Sequence, residues 1–96
     1  MRVGWTRQGL ASLRELATHV AQHTDEAAGD LAAARVQVAV EDLLSQFPRI
    51  GGPGRIKGTR STIVRVGAHT YRTIYRLIGE RVMIDYVRDT RRSDAL

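Results

Sequence analysis

The chain has 96 residues, enough for one domain and too few for two. Its 43% hydrophobic and 26% charged residues are typical of a globular protein and not of a disordered chain. Cysteine is absent, which excludes a disulfide framework and a cysteine-ligated metal site and fits a reducing compartment. No apolar signal region and no apolar stretch of about 18 residues is present, so we expect neither secretion nor a membrane span. We therefore expect a single cytoplasmic domain over residues 1–96.

The charge is divided unevenly along the chain. The net charge is +5, but the residues through Pro48 contain four arginines against six acidic residues, a net of −2. From Arg49 onward, ten arginines and one lysine stand against four acidic residues, a net of +7. A basic half of this size attracts anionic partners through its electrostatic field. We expect it to face nucleic acid or an acidic protein.

The first half predicts a short edge strand followed by two amphipathic helices. Thr6 is placed to cap the first helix, whose apolar residues recur every three or four positions until about His23. Thr24 and Asp25 supply a second cap, and Pro48 ends the second helix. Because the two helices are joined so closely, they predict an antiparallel helical hairpin.

The second half predicts a glycine-rich loop over residues 49–59 and then three strands. The strands are expected over 62–66, 71–78 and 82–87, and the short turns between them indicate an antiparallel meander. With the helical hairpin on one face of this sheet, the chain is a two-layer α+β domain of order β-α-α-β-β-β. The helix-free face is expected to be polar, with Arg65, Arg72 and Arg76 as candidates.

The alternation within residues 71–78 leaves the faces of that strand open. Each of the two sets of alternate residues contains apolar side chains that need burial. The sets are Arg72, Ile74, Arg76 and Ile78 on one side, and Tyr71, Thr73, Tyr75 and Leu77 on the other.

An ordered series of motifs runs through the second half: GGPGR at 51–55, GTR at 58–60, YRTIYR at 71–76 and VRDTRR at 87–92. This series resembles the RelE/ParE superfamily of toxins from type II toxin–antitoxin systems. The GGPGR–GTR loop is closer to the ParE branch. The chain departs from the family pattern at Gly52, where arginine is usual, and at Asp89 and Thr90, where histidine and glycine are common.

The resemblance implies the RelE/ParE-like fold, with the helical hairpin packed on one face of an antiparallel sheet. It also implies a growth-inhibiting toxin of the plasmid-stabilisation type, neutralised by a cognate antitoxin whose flexible segment folds upon it. A toxin–antitoxin hetero-oligomer is therefore expected, with no membrane partner.

The resemblance leaves two activities open. ParE-like toxins inhibit DNA gyrase and are not enzymes, whereas RelE-like toxins cleave mRNA on the ribosome. Cleavage by 2′-OH attack needs a base, an acid and cationic stabilisation of the phosphorane. The ending at 91–96 contains arginines but neither tyrosine nor histidine. We therefore favour gyrase inhibition, keep the ribosome-dependent endoribonuclease as the alternative, and predict no catalytic residue.

The basic residues of the second half are the candidates for target binding. They are Arg55, Lys57, Arg60, Arg72, Arg76, Arg91 and Arg92. Those of the loop and the tail have an alternative interpretation as solvated charges, which in the loop keep an edge strand from pairing with other chains.

Other side chains with chemical potential have simpler interpretations. The strand tyrosines, Tyr71, Tyr75 and Tyr86, are expected to pack in the sheet rather than to transfer protons. His19 and His23 lie one turn apart and are expected to be solvated, so we predict no metal or other cofactor. Trp5 is expected to pack between the first strand and a helix.

Overall fold

A computed structural model describes residues 1–92, and residues 93–96, the last part of the predicted tail, lie outside the described residues. The elements are β1 (Arg2–Trp5), α1 (Arg7–His23), α2 (Glu26–Gln46), β2 (Gly52–Pro53), β3 (Arg60–Val66), β4 (His69–Ile78) and β5 (Arg81–Asp89). The predicted order of one strand, a helical hairpin and a three-strand meander is confirmed. The two-residue strand β2 lies inside the predicted loop.

Both helices begin at the predicted caps. The Thr6 hydroxyl accepts a hydrogen bond of 3.0 Å from the amide of Gly9, and the Asp25 carboxylate accepts one of 2.8 Å from the amide of Ala28. Each bond satisfies a first-turn amide that has no partner within its helix. The second helix ends at Gln46, shortly before Pro48, because proline and the residue before it disfavour helical continuation.

The sheet has the strand order β1-β5-β4-β3-β2 and is mixed. Strands β3, β4 and β5 pair antiparallel as predicted, but β1 pairs with β5 in parallel. The helical hairpin returns the chain so that β3 runs in the direction of β1, and two further reversals give β5 that direction as well. The two-layer α+β fold is therefore confirmed. The expectation of a wholly antiparallel sheet was wrong for one pair, because β1 and β5 run in parallel.

The helices cover one face of this sheet, here called the covered face, and leave the other, the open face, without a second layer. On β4 the buried residues are Tyr71, Thr73 and Tyr75, which alternate with half-buried Arg72 and the rest of the arginine-bearing set. The question that the sequence left open is thus answered, since the tyrosines face the helices. Val82, Ile84 and Val87 of β5 complete the centre of the core.

The first helix lies unusually close to β5. A Cβ atom at Gly9 would clash with the backbone carbonyl of Ile84, so only glycine fits this contact. Ser12, buried beside it, donates to the carbonyl of Gly9 at 2.6 Å and accepts from the amide of Val87 at 3.0 Å. The helix and the strand are therefore joined by polar bonds as well as by packing.

Trp5 packs between β1 and the helices, as predicted. Its ring lies against the core, and its Nε1 donates a 2.8 Å hydrogen bond to the carboxylate of Glu41 on α2. The bond gives the polar edge of a half-buried indole a charged acceptor.

Candidate functional site

A cleft of about 340 Å³ lies on the open face, between the loop at residues 54–59, strands β4 and β5, and the first turn of α1, which reaches its rim through Gln8. We call it the open-face cleft. Its apolar walls are Ile56, Ile74 and Tyr86. Its polar and charged lining consists of Gln8, Arg55, Lys57, Thr59, Arg76 and Asp85. The cleft therefore combines an apolar interior with charged groups of both signs.

The 54–59 loop is closed by its own hydrogen bonds. The amide of Gly54 donates to the carbonyl of Thr59 at 2.8 Å, and both the amide and the hydroxyl of Thr59 donate to the carbonyl of Ile56, at 3.0 and 2.5 Å. A Cβ at Gly54 would clash with Thr59, and Gly58 has a φ of +86°, which favours glycine. These bonds hold Ile56 outward between Arg55 and Lys57, with 72% of its surface exposed.

Tyr75 anchors the chain that leads into this loop. It is fully buried on the covered face, where its hydroxyl donates to the carbonyl of Pro48 at 2.8 Å and accepts from the amide of Gly51 at 2.9 Å. The carbonyl of Gly51 in turn accepts a 2.9 Å bond from the guanidinium of Arg60. The geometry gives this motif tyrosine a structural role.

A bulge in β5 brings two side chains into the open-face cleft. Ile74 pairs with Tyr86 and Tyr75 pairs with Ile84, so Asp85 is an extra residue without a partner position on β4. Asp85 and Tyr86 therefore both reach the open face, although they are consecutive in the chain.

Asp85 holds the arginine at the centre of the cleft. The Nε and Nη2 atoms of Arg76 donate to the two carboxylate oxygens of Asp85 at 2.6 and 2.9 Å. The hydrogen bond and the charge of Asp85 raise the pKa of Arg76 above its ordinary value. Such a bidentate pair fixes both side chains and balances their charges.

Two other predicted arginines lie near the cleft without lining it. Arg72 is on the open face, two residues before Ile74, and donates to the Ser61 hydroxyl at 2.7 Å. Arg60 lies opposite Tyr75 in the sheet and so points to the covered side, where it bonds Gly51. The structure thus brings Arg55, Lys57 and Arg76 together in the cleft and places Arg60 on the other face.

Arg91 and Arg92 lie at the other end of β4. Arg91 bonds the Asp89 carboxylate through its amide at 2.9 Å and its guanidinium at 3.0 and 3.2 Å. Asp89 pairs with Tyr71 of β4. Tyr71 lies five residues before Arg76 on the same strand, which separates the two positions by roughly 17 Å. The carbonyl of Arg92 accepts a 2.9 Å bond from Arg88. The tail arginines are therefore a group separate from the cleft.

Burial and the neighbouring Arg91 act in opposite directions on the pKa of Asp89. Burial raises its pKa, but the hydrogen bonds and charge of Arg91 together hold the pKa below its ordinary value. Burial, followed by the charge of Asp89, raises the pKa of Tyr71. His69 contributes a weak contact, 3.9 Å from the Asp89 carboxylate.

The two histidines of α1 form an edge-to-face pair with ring centroids 5.0 Å apart. Within residues 1–92, no group of three histidine, cysteine or acidic side chains is placed to hold a metal ion. In the same part of the chain, neither helix has the length and apolar character needed to cross a membrane.

Ile56 and Asp85 are cleft residues that sequence reasoning did not select as candidates, and Tyr86, which was expected to pack in the sheet, also lines the cleft. A signal for the bulge was present, because core residues Val82 and Ile84 are two apart whereas Ile84 and Val87 are three apart. In a regular strand, residues of one face are separated by even numbers. The odd spacing marks the point at which an extra residue enters β5.

The architecture is that of chains from toxin–antitoxin complexes. A chain of the toxin–antitoxin complex RelBE2 from Mycobacterium tuberculosis has 30% identity and a TM-score of 0.63, over 97% of this chain and 92% of that one. A chain of the chromosomal ParDE system from P. aeruginosa shares the fold alone, with 16% identity and a TM-score of 0.69 over 93% and 95% of the two chains.

The model of the family described as the ParE toxin of the type II toxin–antitoxin system parDE matches residues 3–94. The chain belongs to this family, within the RelE/ParE superfamily. It is also 36% identical over 63 residues to the predicted toxin Y4kP of Sinorhizobium fredii. That match covers 66% of this chain and 64% of the relative, slightly less than two thirds of the relative's length. The resemblance inferred from the ordered motifs is confirmed.

Proposed function

We propose that this chain is a toxin that arrests growth by binding DNA gyrase and that a cognate antitoxin neutralises it. The observation that carries the choice of target is the bidentate Arg76–Asp85 pair at the centre of an apolar cleft. The apolar walls of the cleft favour binding of a protein surface, and its central guanidinium already has a carboxylate partner.

Cleavage of RNA places extra negative charge on the reacting phosphate, and cationic groups aimed at that charge supply much of the catalysis. In the open-face cleft, the central guanidinium already holds the carboxylate of Asp85. A phosphate approaching Arg76 would meet that carboxylate or have to displace it. A protein surface faces no such repulsion and gains from burying Ile56 and Ile74.

The proposal of an antitoxin partner has separate support. The solved structures with this fold come from a ParDE system and from the RelBE2 toxin–antitoxin complex. In this chain, several large apolar side chains are exposed along α2 and just after it, namely Leu31, Val38, Phe47 and Ile50. Such exposure favours a surface that a partner covers. Co-expression with the protein encoded next to it should raise the melting temperature, and an unchanged value would contradict a cognate complex.

The target is tested with purified, antitoxin-free chain in a gyrase supercoiling assay. We expect inhibition that grows with the amount of chain, and weaker inhibition by the double variant Arg55→Ala with Lys57→Ala. The matched control is Arg65→Ala, which removes an exposed open-face arginine outside the cleft. Undisturbed supercoiling at saturating chain would refute gyrase as the target.

One observation favours the endoribonuclease as a second candidate. The phenol of Tyr86 shares the cleft with Arg55 and Lys57, and a phenol near cations can transfer a proton. The test is cleavage of mRNA on programmed ribosomes, where we expect none. Cleavage that is abolished by Tyr86→Phe and by Arg76→Ala would replace the gyrase proposal with this one.

A further inference from the structure

We infer that an exposed stripe of α2 binds the same stripe of a second copy of this chain, so that the antitoxin-free chain forms a symmetric dimer. The residues of this stripe, here called the α2 stripe, are exposed and follow one another at helical spacings of three and four. They are Leu31, Ala34, Arg35, Val38 and Asp42. Such a dimer would form before the chain meets a target or an antitoxin, so it lies outside the proposed function.

The α2 stripe is the side of the helix that the rest of the domain leaves uncovered. On the opposite side, Val36, Val40 and Leu44 are fully buried in the core. On the stripe, Leu31 is 51% exposed and Val38 is 61% exposed. A partner that covered both side chains would remove apolar surface from water, which favours binding.

Two charged side chains lie on either side of Val38. Arg35 stands one turn before it and Asp42 one turn after it, so they are seven residues, or about 10.5 Å, apart along the helix. This distance is too long for an ion pair. Within residues 1–92, neither side chain makes an ion pair or a hydrogen bond. The stripe therefore offers one charge of each sign to a partner, at a fixed spacing.

The order of these residues makes the stripe complementary to itself. In a two-fold symmetric contact, a residue that meets a second residue of the other copy is met by that residue in return. If two α2 helices pack antiparallel with the two-fold axis beside Val38, Arg35 of each copy faces Asp42 of the other. Parallel packing would instead bring like charges together, which is repulsive. A second copy thus presents both charges in the required order and at the required spacing.

The surface beside the stripe has room for a second helix. A shallow groove of about 480 Å³ lies between α2 and the end of β3. Its apolar lining residues are Ala34, Val38, Ala39 and Val66. The two alanines allow the approach of roughly 8–10 Å at which helix axes pack. A contact confined to about three helical turns is smaller than a standard interface of roughly 1,200–2,000 Å², so we expect a weak dimer.

Self-association and antitoxin binding would share only part of α2. Leu31 and Val38 belong to the stripe, whereas Phe47 and Ile50 follow the helix and lie outside it. An antitoxin that covers Leu31 and Val38 would therefore separate the dimer. One that binds only at Phe47 and Ile50 would leave it intact.

The experiment is a charge-reversal series in the full chain. Sedimentation equilibrium of purified, antitoxin-free chain at concentrations up to about 1 mM measures self-association. The variants are Arg35→Glu, Asp42→Arg, the double variant with both changes, and an equal mixture of the two single variants. The controls are Arg14→Glu and Glu15→Arg, at exposed charges of α1. A melting curve for each variant confirms folding.

We expect the unaltered chain to dimerise with a dissociation constant on the order of 100 µM. Each single reversal should weaken dimerisation at least about tenfold, because two attractive contacts become repulsive. The double variant and the mixture should both restore it, because every contact again joins opposite charges. The α1 controls should stay within about twofold of the unaltered chain.

The apolar centre of the stripe is tested with Val38→Ser. This change should weaken dimerisation about tenfold at low and at high salt, whereas the effect of the charge reversals should decrease at high salt. The matched control is Ile56→Ser, at an isoleucine that is 72% exposed on another surface, and it should leave dimerisation unchanged.

Three results would overturn the inference. In the first, the unaltered chain remains a monomer at about 1 mM; if Val38→Ser then weakens antitoxin binding, the antitoxin alone covers the stripe. In the second, the chain dimerises but the single reversals behave like the α1 controls, which places the contact on another surface. In the third, both reversals prevent dimerisation and their mixture does not restore it, so Arg35 does not face Asp42. Inhibition of gyrase is measured separately and does not depend on these results.

Discussion

The two faces of β4 carry alternate residues of one strand and have opposite surroundings. On the covered face, Tyr71, Thr73 and Tyr75 are buried under the helices. The Tyr75 hydroxyl also bonds the backbone of Pro48 and Gly51. On the open face, Arg72 and Arg76 bond side chains near solvent. The motif YRTIYR therefore has a structural half and a surface half. Substitutions on the covered face should lower stability, whereas those on the open face should change binding and leave the fold intact.

The largest effect is expected at the contact between α1 and β5. Gly9→Ala should lower the free energy of unfolding by about 3 kcal/mol, because the new Cβ would clash with the backbone carbonyl of Ile84 and neither partner can move easily. Urea denaturation measures the change. Gly52→Ala is the matched control, since no atom lies within 4 Å of a Cβ there, and its effect should stay within about 0.5 kcal/mol. Equal effects of the two variants would contradict the close approach.

Tyr75→Phe should lower stability by about 2 kcal/mol. The change removes one hydroxyl and leaves the amide of buried Gly51 and the carbonyl of Pro48 without their partner. Urea denaturation gives the energy, and hydrogen exchange at the Gly51 amide reports the lost bond directly. If exchange at Gly51 were unchanged, Tyr75 would not be the anchor of this segment.

Asp89, on the covered side near the tail, should give a smaller and pH-dependent effect. Its pKa is lower in the folded protein, so its carboxylate stabilises the fold above the unfolded pKa of about 4 and loses that contribution as the pH falls through the folded pKa. Asp89→Asn should reduce stability by less than about 1 kcal/mol at pH 7, because solvent screens the pair with Arg91. The free energies of unfolding of the unaltered chain and of Asp89→Asn should converge as the pH is lowered from 7 to 2. A difference that grows on acidification would contradict a stabilising role for the ionised carboxylate.

The smallest effect on stability is expected on the open face. The double variant Arg55→Ala with Lys57→Ala should change the free energy of unfolding by less than about 0.5 kcal/mol, because both side chains are exposed. The same variant should weaken inhibition of supercoiling. If the double variant lost stability as well as inhibition, the expectation that open-face substitutions change binding and leave the fold intact would be contradicted.

Local signals in the sequence were sufficient for most of the fold. Thr6 and Asp25 cap helices whose first amides need acceptors, and Gly79 permits the tight turn between β4 and β5 with a φ of +60°. The parallel pairing of β1 with β5 was not predictable in this way. It depends on where the helical hairpin delivers the chain, which is set by packing between distant segments.

The candidate site was only partly predictable, because charge identifies residues and not their positions. Arg55 and Arg76 were selected as basic residues and do line the cleft, but Arg60 and Arg91 were selected on the same ground and lie elsewhere. The faces of β4 could not be chosen because both sets of alternate residues contain apolar side chains. Asp85 was missed because its role arises from the bulge, a pairing between strands that no single strand reveals.

The bulge in β5 has a consequence for relatives of different length. Without residue 85, Ile84, Tyr86 and Val87 would alternate strictly, and the core residues of β5 would remain on the covered face. In this chain the extra residue places a carboxylate beside Arg76, and a chain without it would pair β4 and β5 in regular register and lack that carboxylate. Family members that differ by this single insertion would keep the same core and carry clefts of different net charge.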